Sequence, residues 1–325
     1  MRAWQVTRHG EPSDVLSLAD VAVPDPGTDE LRIRVAAAAV GMPDVFMCRG
    51  TYAFSPPMPF TPGQEACGVV TAAGAGAELP VGARVMGVTR FPEGHGGFAE
   101  EALLGSSTAF TVPDAMADED AAGMPIGWST AWVALVRRAR LAAGEHLLVL
   151  GAAGGSGATA VQLGVALGAH VLAVVGDDAK AQYCRGLGAA TVINRRSADV
   201  VDVVRSVTAG HGADVVYDPV GGAPGEASIR CAANEGRYLA VGFAAGRWPA
   251  FDVAQLVRRN CSVLGVYVGA YGRDDHERDH RELMTLFGEG RIRSCVTQTV
   301  SFDDLPAAVM RVARGEAVGK IVVKL

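Results

Sequence analysis

From residue 146 onward the chain alternates short apolar runs with helical stretches. His146-Leu147-Leu148-Val149-Leu150 is apolar after its first residue, and short enough for a strand buried on both faces. A turn of small residues follows, Gly151-Ala152-Ala153-Gly154-Gly155-Ser156-Gly157, and then residues 158–167, which read as a helix with an apolar face. Further buried strands are predicted at 171–175, 191–193, 215–218, 237–241 and 261–266. Alternation of this kind implies a parallel, doubly wound sheet in an α/β protein. The first 110 residues have another texture. Residues 31–35 alternate apolar and polar, as a half-buried strand does, and 68–74 and 82–87 are short strands between glycines. Residues 94–100 form a turn leading into another strand. The segment 51–63 holds Pro56, Pro57, Pro59 and Pro62 and reads as an ordered loop without regular pairing.

An acidic cluster at 118–120 opens an alanine-rich helical stretch that runs on through 130–136. After about residue 270 come a charged helix, 274–287, and closing strands that end in Gly319-Lys320-Ile321-Val322-Val323. That tail is too short for a domain and is expected to fold back on the N-terminal part. The expected boundaries are therefore a β-rich domain over 1–121, a nucleotide-binding domain over 122–262, and a return segment over 263–325.

Strand, glycine turn, helix is the context that makes a glycine pattern a dinucleotide site. Here the pattern is A-x-G-x-x-G, carried by Ala152, Gly154 and Gly157, with Ala153, Gly155 and Ser156 between them. Ala152 and Gly154 let the backbone turn tightly and approach a pyrophosphate, and Gly157 lets the helix pack close to its strand. The N–H groups of the helix N-terminus then face the phosphates.

Length and composition narrow the field. At 325 residues the chain exceeds the usual size of one core, so two domains are expected. A net charge of −6 argues against a nucleic-acid backbone as partner. No apolar run is long enough to span a membrane, and the opening Met1-Arg2-Ala3-Trp4-Gln5-Val6 shows no charged-then-apolar signal. The six cysteines form no C-x-x-C pair and match no zinc or disulfide framework. Scattered thiols of this kind read as buried small hydrophobes in a cytoplasmic protein.

Several segments, taken in order, carry a resemblance. They are Pro59-Phe60-Thr61-Pro62-Gly63-Gln64-Glu65-Ala66-Cys67-Gly68-Val69-Val70, Gly97-Phe98-Ala99-Glu100, Thr130-Ala131-Trp132, the turn 151–157, Leu187-Gly188-Ala189, Asp214-Val215-Val216-Tyr217-Asp218-Pro219-Val220-Gly221-Gly222, Gly236-Arg237-Tyr238, Val241-Gly242-Phe243 and Gly319-Lys320-Ile321-Val322. Together they resemble the medium-chain dehydrogenase/reductase superfamily, in its zinc-free quinone oxidoreductase branch. The resemblance implies a GroES-like β-rich catalytic domain, an inserted Rossmann domain, an active cleft between them, and reduced nicotinamide as hydride donor. The zinc alcohol dehydrogenases of the superfamily carry Cys where this chain has Gly41, and His where it has Gln64. Their four-cysteine lobe is also missing here. Neither glycine nor a neutral amide replaces a zinc ligand. The chain departs from its own branch as well, which usually has Asn at the position of Gly41.

The same resemblance assigns the site residues. Thr130, with Trp128 nearby, falls beside the nicotinamide, and Val241, Gly242, Phe243 and Lys320 fall at the cofactor. Lys180 and Arg195 fall near the adenosine ribose. NAD-specific sites hold the ribose hydroxyls with a carboxylate at the end of the second strand. Here that strand ends in Val174-Val175-Gly176, so Gly176 leaves room for a 2′-phosphate that Lys180 and Arg195 would neutralise, which points to NADPH. Asp177 and Asp178 read as N-caps of the next helix. Two catalytic candidates remain. Tyr52 is either a hydrogen-bond donor to a carbonyl oxygen or an aromatic packed against the proline loop. Asp44 is either a catalytic partner or a structural cap.

The expected function is zinc-independent reduction of a quinone or an α,β-unsaturated carbonyl by NADPH. The alternatives are an enoyl-thioester reductase and a non-catalytic NADPH-binding protein. A homodimer is expected, because residues 261–266 would form an open sheet edge and members of the resembled family commonly join such edges.

Overall fold

The computed structural model describes residues 1–325. The chain folds as two compact units, one formed by Met1–Ile126 with Ser294–Leu325 and the other by Gly127–Arg293.

The first unit is built on the long strand Glu30–Val40. Its alternation is real: Leu31, Ile33 and Val35 are buried while Arg34 is exposed. The strand pairs antiparallel with Glu65–Ala73 along its length, with Glu101–Gly105 over its first half, and with Lys320–Lys324 over its last residues. Val296–Ser301, Arg84–Val88 and Phe110–Thr111 complete a seven-stranded sheet. The tail thus contributes two strands to this sheet. Residues 51–63 contain no strand, and only Phe60 and Thr61 make isolated bridges, to Val6 and His95.

The second unit carries six parallel strands. Across the sheet they run Thr191–Asn194, His170–Val175, His146–Val149, Ala213–Asp218, Ala232–Ala240 and Ser262–Gly265. In order of sequence this is 3-2-1-4-5-6, the doubly wound order whose direction reverses between the first and fourth strands. All six strands predicted from apolar runs are present. The helix after the first strand is Gly155–Ala166, so it begins inside the glycine turn, three residues before the sequence pattern suggested.

The unit boundary differs from expectation. Helix Arg273–Gly288, which sequence assigned to a return segment starting at 263, belongs to the second unit, and the return begins at Ser294. An ion pair ties this helix to the second unit. Arg137 donates to both carboxylate oxygens of the buried Asp279, at 2.7–3.0 Å, and to Asp275 at 3.0 Å. The expected 121/122 boundary likewise moves to 126/127.

One buried charge pair secures the first unit. Glu65 enters the sheet interior at the start of its strand, and Lys320 meets it from the last strand of the chain. The second Glu65 oxygen accepts the Ile126 N–H at 2.7 Å. Removing one member of such a pair leaves a charge buried alone, at a cost of about 3–5 kcal/mol. Lys320→Met should therefore lower the unfolding free energy of the first unit by about that amount. The double variant Glu65→Gln, Lys320→Met should recover most of the loss in urea unfolding followed by circular dichroism. A single variant as stable as the parent would show that the pair contributes nothing.

Candidate active site

In the second unit, most of the expected cofactor residues follow directly on the C-terminal ends of parallel strands. The glycine turn leaves the first strand and is stitched between its neighbours: Leu150 donates to Tyr217 O at 3.0 Å and Ala152 to Val174 O at 3.1 Å. Gly151 adopts φ +56°, and Gly154 N donates back to Gly151 O at 3.0 Å. Gly154 is the extended N-cap of helix Gly155–Ala166. The amides of Gly155, Ser156 and Gly157 therefore lie in the first helical turn, where N–H groups have no intrahelical acceptor. A Cβ on Gly157 would stand 2.3 Å from Gly151 O and 2.7 Å from Ala152 Cα, so only glycine allows this approach. A Cβ on Gly154 would meet only Gly151 O, at 3.5 Å. That face of the turn is open, as a backbone that receives a pyrophosphate must be.

At the end of the second strand Gly176 faces a guanidinium: a Cβ there would lie 3.8 Å from Arg195 Nη2. Asp177 caps helix Asp178–Gly186, accepting the Lys180 N–H at 2.9 Å, and its Oδ2 lies 3.4 Å from Lys180 Nζ. The Lys180 backbone amide, with smaller help from the ammonium, holds the Asp177 carboxyl below its usual range. Asp178 is not a cap but the first helical residue, and its Oδ1 accepts from Asn194 Nδ2 at 3.0 Å. The structure thus brings Gly176, Lys180 and Arg195 to one strand end.

The loop Val241-Gly242-Phe243 lies at the same edge, because Val241 N and Gly242 N both donate to Asp218 O, at 3.0 and 3.1 Å. The Phe243 ring packs on Trp248 with centroids 4.9 Å apart. Thr130 is half-buried on helix Pro125–Trp132, which Thr159 Oγ1 fastens by donating to Gly127 O at 3.1 Å. Trp128 on that helix is buried, and its indole N–H has no hydrogen-bond partner. Sequence reasoning missed Tyr217. It is fully buried, and its hydroxyl lies 2.7 Å from Ser156 Oγ in the glycine turn. The signal was available: a tyrosine in an apolar strand, one residue before Asp218-Pro219-Val220-Gly221.

In the first unit, Asp44 is buried at the third position of helix Met42–Arg49. Its Oδ2 accepts the Gly41 N–H at 2.8 Å and its Oδ1 the Gly63 N–H at 2.9 Å. Burial pushes its carboxyl up to about 7, against the pull of those two amides and of Lys320. With both oxygens committed to backbone, Asp44 is a cap that ties the helix to the strand entry at Gly63, and the catalytic reading is set aside. Tyr52 is half-buried, with its ring 5.7 Å from Phe54 and 6.3 Å from Phe91. Those contacts fix the ring. Lys320 places its buried ammonium on Glu65.

A zinc ion does not fit the residues present. Gly41 offers no side chain, and Gln64 directs its amide Nε2 to Met47 Sδ at 3.8 Å. Nowhere do three His, Cys, Asp or Glu side chains come together in a way that would hold a metal ion. All six cysteines are unbridged.

Comparisons with known proteins agree with this architecture. The alcohol dehydrogenase GroES-like domain family matches residues 27–114, and the family described as zinc-binding dehydrogenase matches residues 155–287. The chain is 31% identical over 315 residues to quinone oxidoreductase-like protein 2 of Rattus norvegicus, spanning 95% of this chain and 89% of that one. Among solved structures it is similar to a probable oxidoreductase from Mycobacterium abscessus, at 32% identity and TM-score 0.87, covering 100% of this chain and 99% of that one. It is also similar to the Escherichia coli quinone oxidoreductase complexed with NADPH, at 27% identity and TM-score 0.92, with both chains covered completely. The chain belongs to the medium-chain dehydrogenase/reductase superfamily, in its quinone oxidoreductase branch.

Proposed function

We propose that this oxidoreductase is an NADPH-dependent, zinc-independent enzyme that delivers hydride to a quinone or an α,β-unsaturated carbonyl. The observation that carries the reading is the end of the second strand. Gly176 stands there in place of a ribose-binding carboxylate, with the Arg195 guanidinium beside it and Lys180 one helical turn on. A 2′-phosphate needs that combination of space and cations. The Escherichia coli relative, crystallised with NADPH, supports it. When bound, the cofactor supplies the hydride chemistry; the chain supplies position and charge.

With Gly41 and Gln64 where metal ligands would stand, the acceptor oxygen must be polarised by hydrogen bonds. Tyr52 is the candidate donor. Its ring is held by Phe54 and Phe91. A donor at an oxygen that gains negative charge contributes more in the transition state than in the ground state.

The proposal extends to assembly and location. Ser262–Gly265 is the open edge of the parallel sheet, and Val263 is exposed on it. Such an edge invites pairing, and we infer a homodimer joined there. The six unbridged cysteines suit a reducing compartment such as the cytoplasm. No helix is long and apolar enough to cross a membrane.

Purified protein should oxidise NADPH with at least one acceptor from a panel of quinones, enones and enoyl thioesters, and chelator should leave the rate unchanged. NADH should be the poorer donor, and Lys180→Ala with Arg195→Ala should weaken NADPH affinity while sparing NADH. Equal specificity for the two dinucleotides, or activity that tracks stoichiometric zinc, would refute the reading; turnover of enoyl thioesters alone would move it to that class. Tyr52→Phe should lower kcat by roughly tenfold or more at unchanged NADPH affinity. A kcat within about twofold of the parent would make Tyr52 a packing residue. Light scattering at micromolar concentration should return the mass of two chains, and a monomer's mass would overturn the edge-pairing inference.

A further inference from the structure

We propose that Tyr217 is a positioning residue for the dinucleotide: its phenol donates to Ser156 Oγ and thereby turns the Ser156 hydroxyl into an outward donor to the pyrophosphate. The proposal rests on the NADPH reading above.

Topology supplies the first argument. Tyr217 is the penultimate residue of strand Ala213–Asp218 and pairs with Val149, the last residue of His146–Val149. These two strands flank the point where the sheet order reverses. Ligands of doubly wound sheets bind in the crevice opened there. Ser156, the second residue of the helix that leaves the first strand, reaches back across the crevice to Tyr217, with 2.7 Å between the oxygens.

Proton placement supplies the second. Tyr217 is fully buried, and burial pushes its phenol up, so it stays protonated at neutral pH. A buried O–H without an acceptor is costly. Ser156 Oγ is the acceptor this phenol has. If the serine donated to the tyrosine instead, the phenol proton would be left unmet inside the sheet. The satisfied arrangement is Tyr217 O–H to Ser156 Oγ. The serine proton is then free to point elsewhere, and its neighbours are the open first-turn amides of Gly155 and Gly157. Thr159 Oγ1 shares its one proton between Ser156 O at 2.8 Å and Gly127 O at 3.1 Å, and so holds the same residue from its backbone side. An O–H held among those amides adds a donor to an anion site.

The test is fluorescence titration of NADPH and NADH against the parent, Ser156→Ala, Tyr217→Phe and the double variant, with kcat measured alongside. Ser156→Ala should weaken both dinucleotides by about tenfold, the scale of one hydrogen bond to a charged group. Tyr217→Phe should weaken them by at least about threefold, and in both variants the loss should fall more on dinucleotide affinity than on kcat. Because the pyrophosphate is common to both dinucleotides, the losses should match between them, unlike those at Lys180 and Arg195. The double variant should bind no more weakly than Ser156→Ala alone. Parent-like affinity in either single variant, or additive losses in the double, overturns the proposal. A parent that binds neither dinucleotide overturns the NADPH reading and this proposal together.

Discussion

The second unit depends on how closely one helix approaches the turn that precedes it. With no side chain at Gly157, helix Gly155–Ala166 can rest on Gly151 and Ala152. That contact sets where its N-terminal amides lie, and so where an anion can be held. The same helix organises the ends of the unit. Thr159 Oγ1 donates to the carbonyl of Gly127, where the unit begins. One turn further, the Gln162 amide exchanges two hydrogen bonds with Arg293, where it ends: Nε2 donates to Arg293 O at 3.1 Å, and Oε1 accepts from Arg293 N at 3.0 Å. Both polar side chains are buried, so these bonds are also what makes their burial tolerable. A substitution that pushed the helix off its turn would displace the phosphate-facing amides and both ends of the unit together.

Charge is handled differently in the two units. In the first, buried carboxylates are consumed by structure: Glu65 by Lys320 and the Ile126 amide, Asp44 by the amides of Gly41 and Gly63. Their partners leave little capacity for a ligand. In the second, Asp218 is consumed in the same manner by Tyr238 and the amides of Val220 and Gly221, which shapes the loop below the crevice. The first-turn amides after Gly154 and the cations around Gly176 are the groups left for an anion.

Much of the fold was legible because its signals are local. Six apolar runs gave six strands, and alternation at 31–35 gave the strand on which the first unit is built. The helix start was read three residues late because Gly155, Ser156 and Gly157 have low helix propensity. They are helical because packing against the turn holds them there. The boundary near 262 failed for a different reason. Helix Arg273–Gly288 looks like a solvated surface element, and the pairing of Arg137 with Asp279 spans 142 positions, beyond any local pattern. The ion pair of Lys320 with Glu65 was hidden in the same way, since the two lie 255 positions apart in sequence. In the site, the glycine turn and Gly176 were legible as backbone chemistry, whereas Tyr217 was read only as a strand residue because its partner Ser156 lies in a different element.

Asp177 shows how one carboxylate can sit beside a cation site without closing it. An acid at the end of the second strand would normally select ribose hydroxyls over a phosphate. Here the chain turns at Gly176 first, and Asp177 is drawn into the helix cap, where Oδ1 takes the Lys180 amide. Its Oδ2 rests 3.4 Å from Lys180 Nζ, while Arg195 lies over Gly176 from the neighbouring strand end. Asp177 is about two-fifths exposed, so its hold on the ammonium is screened by water. A phosphate carries more charge and more acceptor oxygens than that exposed carboxylate. It can draw the ammonium without breaking the cap, because the cap uses the other oxygen and a backbone amide. The acid therefore orders the helix that carries Lys180 and leaves the charge of the site positive where a 2′-phosphate would arrive.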